Sequence, residues 1–125
     1  MSNVIMTAQE YLAGLKEDQE QATFVQFLEQ KGELFYHVPN GGFRHPREGV
    51  KLKKQGVKAG VPDICICAMR KGFGGLYIEF KRRKKSIVSE RQKEWIENLR
   101  QAGYKAEIAA GYDEAVKIYT SYIQD

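Results

Sequence analysis

Two stretches decide the fold: Gly60-Val-Pro-Asp63-Ile-Cys-Ile-Cys-Ala68 and Gly75-Leu-Tyr-Ile-Glu-Phe-Lys81. Each is a short apolar run bounded by glycine, proline or charge, which predicts strands over 63–68 and 75–81. Residues 69–75 hold three glycines and predict the turn of a hairpin. Side chains alternate faces along a strand, so Glu79 and Lys81 share one face and Phe80 takes the other. A turn centred near residue 71 sets Asp63 opposite Glu79, and opposed residues bring their Cβ atoms within roughly 4.5–5.5 Å.

Two carboxylates that close repel unless a cation or a shared proton lies between them. A divalent metal resolves the conflict, since Mg²⁺ is held by one or two carboxylates and completes its shell with water and phosphate oxygens. Lys81 faces the same place. An isolated Glu-x-Lys on a strand is common and reads as an ordinary surface pair. An aspartate directly after Gly-x-Pro on the neighbouring strand makes the three residues a kit for phosphodiester hydrolysis.

Working outward, residues 8–31 predict a long helix ending near Gly32. Phe24, Val25 and Leu28 form its apolar stripe, and Glu17 and Gln21 fall within that stripe. Glu20 lies at the stripe's edge. Polar groups on a core-facing stripe conflict with simple amphipathic packing, and such conflicts mark functional positions. Residues 33–38 predict a strand closed by Pro39-Asn40-Gly41-Gly42. Pro46 is placed to open a short helix and Gly56 to close it. Ser89 and Gln92 have capping-box spacing ahead of a helix whose apolar face is Trp95, Ile96, Leu99 and Ala102. A fourth strand follows over 104–110. Asp113 is placed to cap a last helix with Val116, Tyr119, Tyr122 and Ile123 on its face. The order predicts an α/β fold, a small mixed β-sheet flanked by α-helices.

The 125 residues fit a single domain, 1–125. The net charge of +4 is unevenly spread. Residues 1–34 carry 2 basic and 6 acidic side chains, residues 35–93 carry 15 and 4, and residues 94–125 carry 3 and 6. A basic middle between acidic ends points to nucleic acid as a partner. No apolar run reaches the length of a membrane span, and no basic-then-apolar leader opens the chain. Cys65 and Cys67, two apart on a strand, are too constrained for an ordinary mutual disulfide, and with two scattered histidines they make no zinc site. The composition thus excludes membrane proteins, disulfide scaffolds and zinc modules. A cytoplasmic location is expected, the host cytoplasm if the protein is phage-encoded.

Gly60-Val-Pro-Asp63, Ile78-Glu-Phe-Lys81, Ser89 and Gln92 together resemble the VRR-NUC (virus-type replication-repair nuclease) family of the PD-(D/E)XK superfamily. The likeness extends through Glu17–Gln21, Pro39-Asn40-Gly41-Gly42 with Arg44, Lys54 to Asp63, Gly103-Tyr104 and Gly111–Ala115, about residues 15–120. It implies a restriction-endonuclease-like core, a standalone member of phage or bacterial type, and divalent-metal hydrolysis of DNA with Mg²⁺ or Mn²⁺ and no organic cofactor. It implies metal ligands at Asp63, Glu79 and the backbone carbonyl of Phe80, with Lys81 as the catalytic lysine. A helix glutamate usually joins such a site; Glu17 is favoured, with Gln21 one turn on, and Glu20 is the alternative. Gln92 matches a glutamine that supports the site, although its capping position alone explains it. A homodimer cutting branched DNA, four-way junctions included, is also implied.

Basic residues flank this constellation. Arg82, Arg83, Lys84 and Lys85 leave the second strand of the hairpin, and Arg44, Arg47, Lys51, Lys53, Lys54 and Lys58 crowd the approach to Asp63. With Asn40 they are the expected DNA contacts. His37 is expected to pack in its strand and His45 to sit in a basic loop. Cys65 and Cys67 are expected to be small core residues and Trp95 a core anchor. The expected function is a metal-dependent, structure-selective DNA endonuclease, like a Holliday-junction resolvase. The alternatives are a catalytically silent DNA-binding module or an RNA or single-strand nuclease. The paired carboxylates argue against the silent module, because a binder has no need of them facing a polyanion.

Overall fold

The computed structural model describes residues 17–39, 46–82 and 87–124. Their elements are α1 (Glu17–Lys31), β1 (Phe35–His37), α2 (Pro46–Lys54), β2 (Ile64–Ile66), β3 (Leu76–Lys81), α3 (Glu90–Gln101), β4 (Lys105–Ala110) and α4 (Tyr112–Ile123). The sheet order is β1-β2-β3-β4. The first three strands run antiparallel and β4 runs parallel to β3, so the sheet is mixed. A parallel pair needs a crossover, and α3 supplies it.

Alternation along the strands builds two unlike faces. Ile64, Ile66, Leu76, Ile78 and Phe80 are fully buried on one face against Phe24 and Leu28 of α1 and Ala115, Tyr119 and Tyr122 of α4. Ring contacts tie these layers together, with Phe24 and Phe80 centroids 5.6 Å apart and Phe24 and Tyr119 6.4 Å apart. The other face is smaller. Tyr77, Trp95 and Tyr104 pack around Ile96 and Leu99 of α3 and Ala106 of β4.

Three local expectations are corrected. The buried line of α1 runs through Glu20, Phe24 and Leu28, spaced four apart, so Glu20 lies on the inner face and not at its edge. Its carboxylate has a reason to be there: Glu20 Oε1 accepts a hydrogen bond from Tyr112 N–H at 3.0 Å, at the first turn of α4. That contact explains the second correction. Asp113 does not cap α4; it lies within the first turn, and Gly111 occupies the N-cap position with φ +96°. A distant carboxylate satisfies one of the first-turn amides that has no partner within the helix. Third, His37 is exposed and not packed in its strand. The part of the expected first helix over 8–16 lies outside the described residues.

Elsewhere the punctuation reads through. Pro46 opens α2, and Gly56 ends it at φ +102° with Val57 N–H returning to Leu52 O at 3.0 Å. Ser89 and Gln92 form a complete capping box on α3. Among the described residues no helix is long and apolar enough to cross a membrane.

Candidate active site

The β2–β3 register pairs Ile64 with Ile78 and Cys65 with Tyr77. One step further along the same register Asp63 meets Glu79, just where β2 begins. The two acids grip each other's backbone. Phe80 N–H donates to Asp63 Oδ2 at 2.8 Å, and Asp63 N–H donates to Glu79 Oε2 at 3.2 Å. The N–H and C=O of one strand residue point to the same side. Phe80 N–H reaches toward Asp63, so the Phe80 carbonyl is turned to that side too, beyond the last pairing with β2.

Glu79 is only 3% exposed. Burial pushes its carboxyl up to about 8, the negative charge of Asp63 adds to the rise, and Lys81 offsets it in part. Lys81 Nζ lies 3.7 Å from Glu79 Oε1. Gln92 joins the two. Its Oε1 accepts from Lys81 Nζ at 2.8 Å and from Ser89 N–H at 3.0 Å, while its Nε2 donates to Glu79 Oε1. One amide therefore closes the N-terminus of α3 and fixes both the lysine and the buried carboxylate. The capping role and the site role are the same set of bonds.

The backbone of Asp63 is held from the β1 side. Val38 N–H donates to the Asp63 carbonyl at 2.7 Å, and His37 Nδ1 lies 2.8 Å from the same oxygen. Gln21 Nε2 of α1 reaches His37 Nδ1 at 3.0 Å. His37 is thus a positioning contact that sequence reasoning missed. The available signal was Gln21, a polar residue on the inner side of α1 whose partner could not be named without the fold.

Other expected site residues divide. Arg47, Lys51, Lys53 and Lys54 lie on α2 and Lys58 in the loop after it, all exposed, and Arg82 is exposed at the end of β3. The Glu17 side chain, Asn40, Gly41, Gly42, Arg44, His45, Arg83, Lys84 and Lys85 lie outside the described residues. Glu20 Oε1 is bonded to Tyr112 N–H of α4. Among the described residues no third His, Cys, Asp or Glu joins Asp63 and Glu79 in a metal-sized cluster. Cys65 is buried, and burial pushes its thiol up, away from the thiolate a nucleophile needs.

A buried Glu79 whose ionisation is opposed, set against half-buried Asp63 and open on one side to a backbone carbonyl, suits Mg²⁺ with its preference for one or two carboxylates. The family model for the VRR-NUC domain matches residues 15–113. The chain belongs to the VRR-NUC family. A solved structure described as a VRR_NUC domain protein is similar over 88% of this chain and 89% of its own, at 33% identity and a TM-score of 0.76. A search of curated proteins finds no match. VRR-NUC is a nuclease domain family of the PD-(D/E)XK kind, typically metal-dependent, and DNA is the partner it implies. In this VRR-NUC domain the α/β architecture agrees with the expectation from sequence.

Proposed function

We propose that this VRR-NUC domain, a single unit over 1–125, is a metal-dependent endonuclease that cuts branched DNA as a homodimer. The observation that carries the chemistry is the opposed Asp63–Glu79 pair, with Lys81 and Gln92 on the same side. Asp63, Glu79 and the Phe80 carbonyl would hold Mg²⁺ or Mn²⁺, with Glu17 as the helix carboxylate. When bound, such an ion supplies Lewis-acid polarisation of a phosphate and a lowered pKa for water.

The chain's own residues do the rest. Gln92 accepts one hydrogen bond from Lys81 Nζ and leaves the other ammonium protons to orient water or meet charge growing on the phosphate. His37 and Val38 keep Asp63 from swinging away. The basic run through α2, Lys58 and Arg82 to Lys85 attracts the DNA backbone.

Size supports the dimer. A 125-residue domain has a radius of gyration of about 14 Å. One such unit grips a short duplex but cannot span two arms of a junction, and a two-fold dimer supplies paired sites. The acidic first and last helices are the proposed contact, which leaves the basic middle to DNA. The test is a panel of labelled duplex, flap and four-way-junction DNAs, incubated with Mg²⁺, with Mn²⁺ and with chelator. Metal-dependent cutting with preference for the junction is expected. Cutting of none of them would return the chain to a binding role.

A further inference from the structure

A groove of about 810 Å³ runs between α2 and the start of α3. A second hollow of about 450 Å³ shares its Leu52, Val57 and Trp95 walls and extends to Val38 and Val61. These walls are apolar yet face water. None of the residues of α2 is buried, and Val57 is 43% exposed. Trp95 is half-buried: part of its surface packs on the small core around Ile96 and Leu99, and part lines the groove. Lys53, Lys58 and Arg91 also line it, with Glu94 as the acidic lining side chain.

The groove adjoins the catalytic end at two points. Val38, which holds the Asp63 carbonyl, forms part of the wall of the adjoining hollow. Arg91 directly precedes Gln92, and Trp95 lies one turn beyond Gln92 on the same helix. Gly60 locks the two together. A Cβ on Gly60 would stand 2.9 Å from Arg91 Cβ, so the loop carrying Asp63 lies directly on the α3 wall.

Apolar and aromatic side chains beside three cations and the single carboxylate of Glu94 match a flat uncharged ring that carries a phosphate. An apolar peptide would gain nothing from Lys53, Lys58 and Arg91. A paired base in a duplex is already stacked on both faces and cannot offer one to Trp95. We infer that this groove receives a single unpaired nucleotide of the DNA substrate, its base against Trp95 and its phosphate among Lys53, Lys58 and Arg91. This rests on the nuclease reading above and gives its preference for branched DNA a physical seat.

Trp95 is the chain's one tryptophan, so its fluorescence reports on the groove directly. In chelator, the intact protein is titrated with three duplexes: blunt, with one unpaired nucleotide, and with an abasic site at that unpaired position. Anisotropy should show binding to all three. Trp95 quenching should appear with the unpaired base alone, and the abasic duplex should bind about ten- to a hundredfold more weakly than its counterpart, the range of base–aromatic stacking. Trp95→Leu should erase that difference while circular dichroism stays unchanged. If Trp95→Leu misfolds, Val57→Asp at the exposed wall should remove the same difference. Equal responses to base and abasic site would overturn the inference. So would binding of the duplex with the unpaired base and no Trp95 response, which would leave the groove to another occupant, such as a second copy of the chain or an apolar peptide. Binding of none of the three DNAs would instead overturn the nuclease reading and this inference with it.

Discussion

The two faces of the sheet use the same strand for opposite ends. On the face covered by α1 and α4, β3 contributes Leu76, Ile78 and Phe80, all without exposure. On the face covered by α3 it contributes Tyr77, Glu79 and Lys81. Only the first half of that second face is closed by apolar packing, and at its far end the helix supplies Gln92 in place of an apolar side chain. The difference shows how a short strand can carry chemistry. Phe80 lies between Glu79 and Lys81 and is anchored by Phe24 at 5.6 Å. Packing on one face thereby fixes the residues that point to the other. Stability belongs to one side of the sheet and reactivity to the other, and substitutions should separate them.

The largest separation is expected at neighbouring residues. Phe80→Ala should cost about 3–5 kcal/mol of stability, read from urea unfolding, because it empties a filled position. Asp63→Asn and Glu79→Gln should abolish cleavage in Mg²⁺ while the fold persists by circular dichroism. Metal-free DNA affinity should rise in Asp63→Asn, where a charge that repels phosphate is gone, and hold in Glu79→Gln, whose buried carboxyl already carries a proton below about pH 8. Full cleavage by Glu79→Gln would break the comparison outright. Lys81→Ala comes next. It should keep divalent-metal binding by calorimetry and lose about 10²–10³-fold in turnover, the usual effect of removing one stabiliser of transition-state charge.

Gln92 allows a finer cut, because one side chain serves both the helix and the site. Gln92→Ala should lower turnover about 10- to 100-fold, as expected for a group that orients others. Ser89→Ala removes the other half of the capping box and should cost about 1 kcal/mol of stability. With Gln92 still bonded to Lys81 and Glu79, its turnover should change little. Equal kinetic losses in the two variants would mean that Gln92 acts through the helix and not through the site.

Much of this was legible in the chain, and the failures share one cause. The strand pair, its turn, the facing of Asp63 and Glu79 and the capping box all follow from contacts close in sequence. Period, turn glycines and cap spacing encode such contacts locally. The rotation of α1 and the first turn of α4 were not legible, because they meet each other: buried Glu20 accepts from Tyr112 N–H, 92 residues away in sequence. His37 escaped for the same reason. Its partners, Gln21 and the Asp63 carbonyl, belong to α1 and to the residue ahead of β2, and nothing in the local pattern joins them.

The buried acid predicts a pH dependence with a definite sign. With its carboxyl pushed up to about 8, folded Glu79 retains a proton that the unfolded chain gives up in the ordinary carboxylate range. Where the native state binds more protons, unfolding free energy falls as pH rises. In chelator, the contribution of Glu79 should therefore decline from the ordinary carboxylate range up to about pH 8. Urea midpoints across that window should show a steeper fall for the natural chain than for Glu79→Gln. Added Mg²⁺ should flatten the natural curve by replacing the proton. Parallel curves for the two proteins would place the proton elsewhere.

The smallest effect is expected at Glu20, and it tests which side of the sheet this acid serves. A carboxylate at a helix N-terminus is stabilised by the unsatisfied amides and the dipole there, and a partly buried case contributes up to about 2 kcal/mol. Glu20→Gln keeps an oxygen that can accept from Tyr112 N–H but loses the charge, so the cost should be about 1 kcal/mol. The loss should appear in unfolding and leave turnover within about twofold once the protein is folded. Glu17→Gln, in the proposed helix position of the metal set, should show the reverse, with turnover lost and stability kept. A collapse of turnover in Glu20→Gln at unchanged stability would move Glu20 into the catalytic set. Glu17 and Glu20 would then both act in the site, and the division of labour between them would no longer hold.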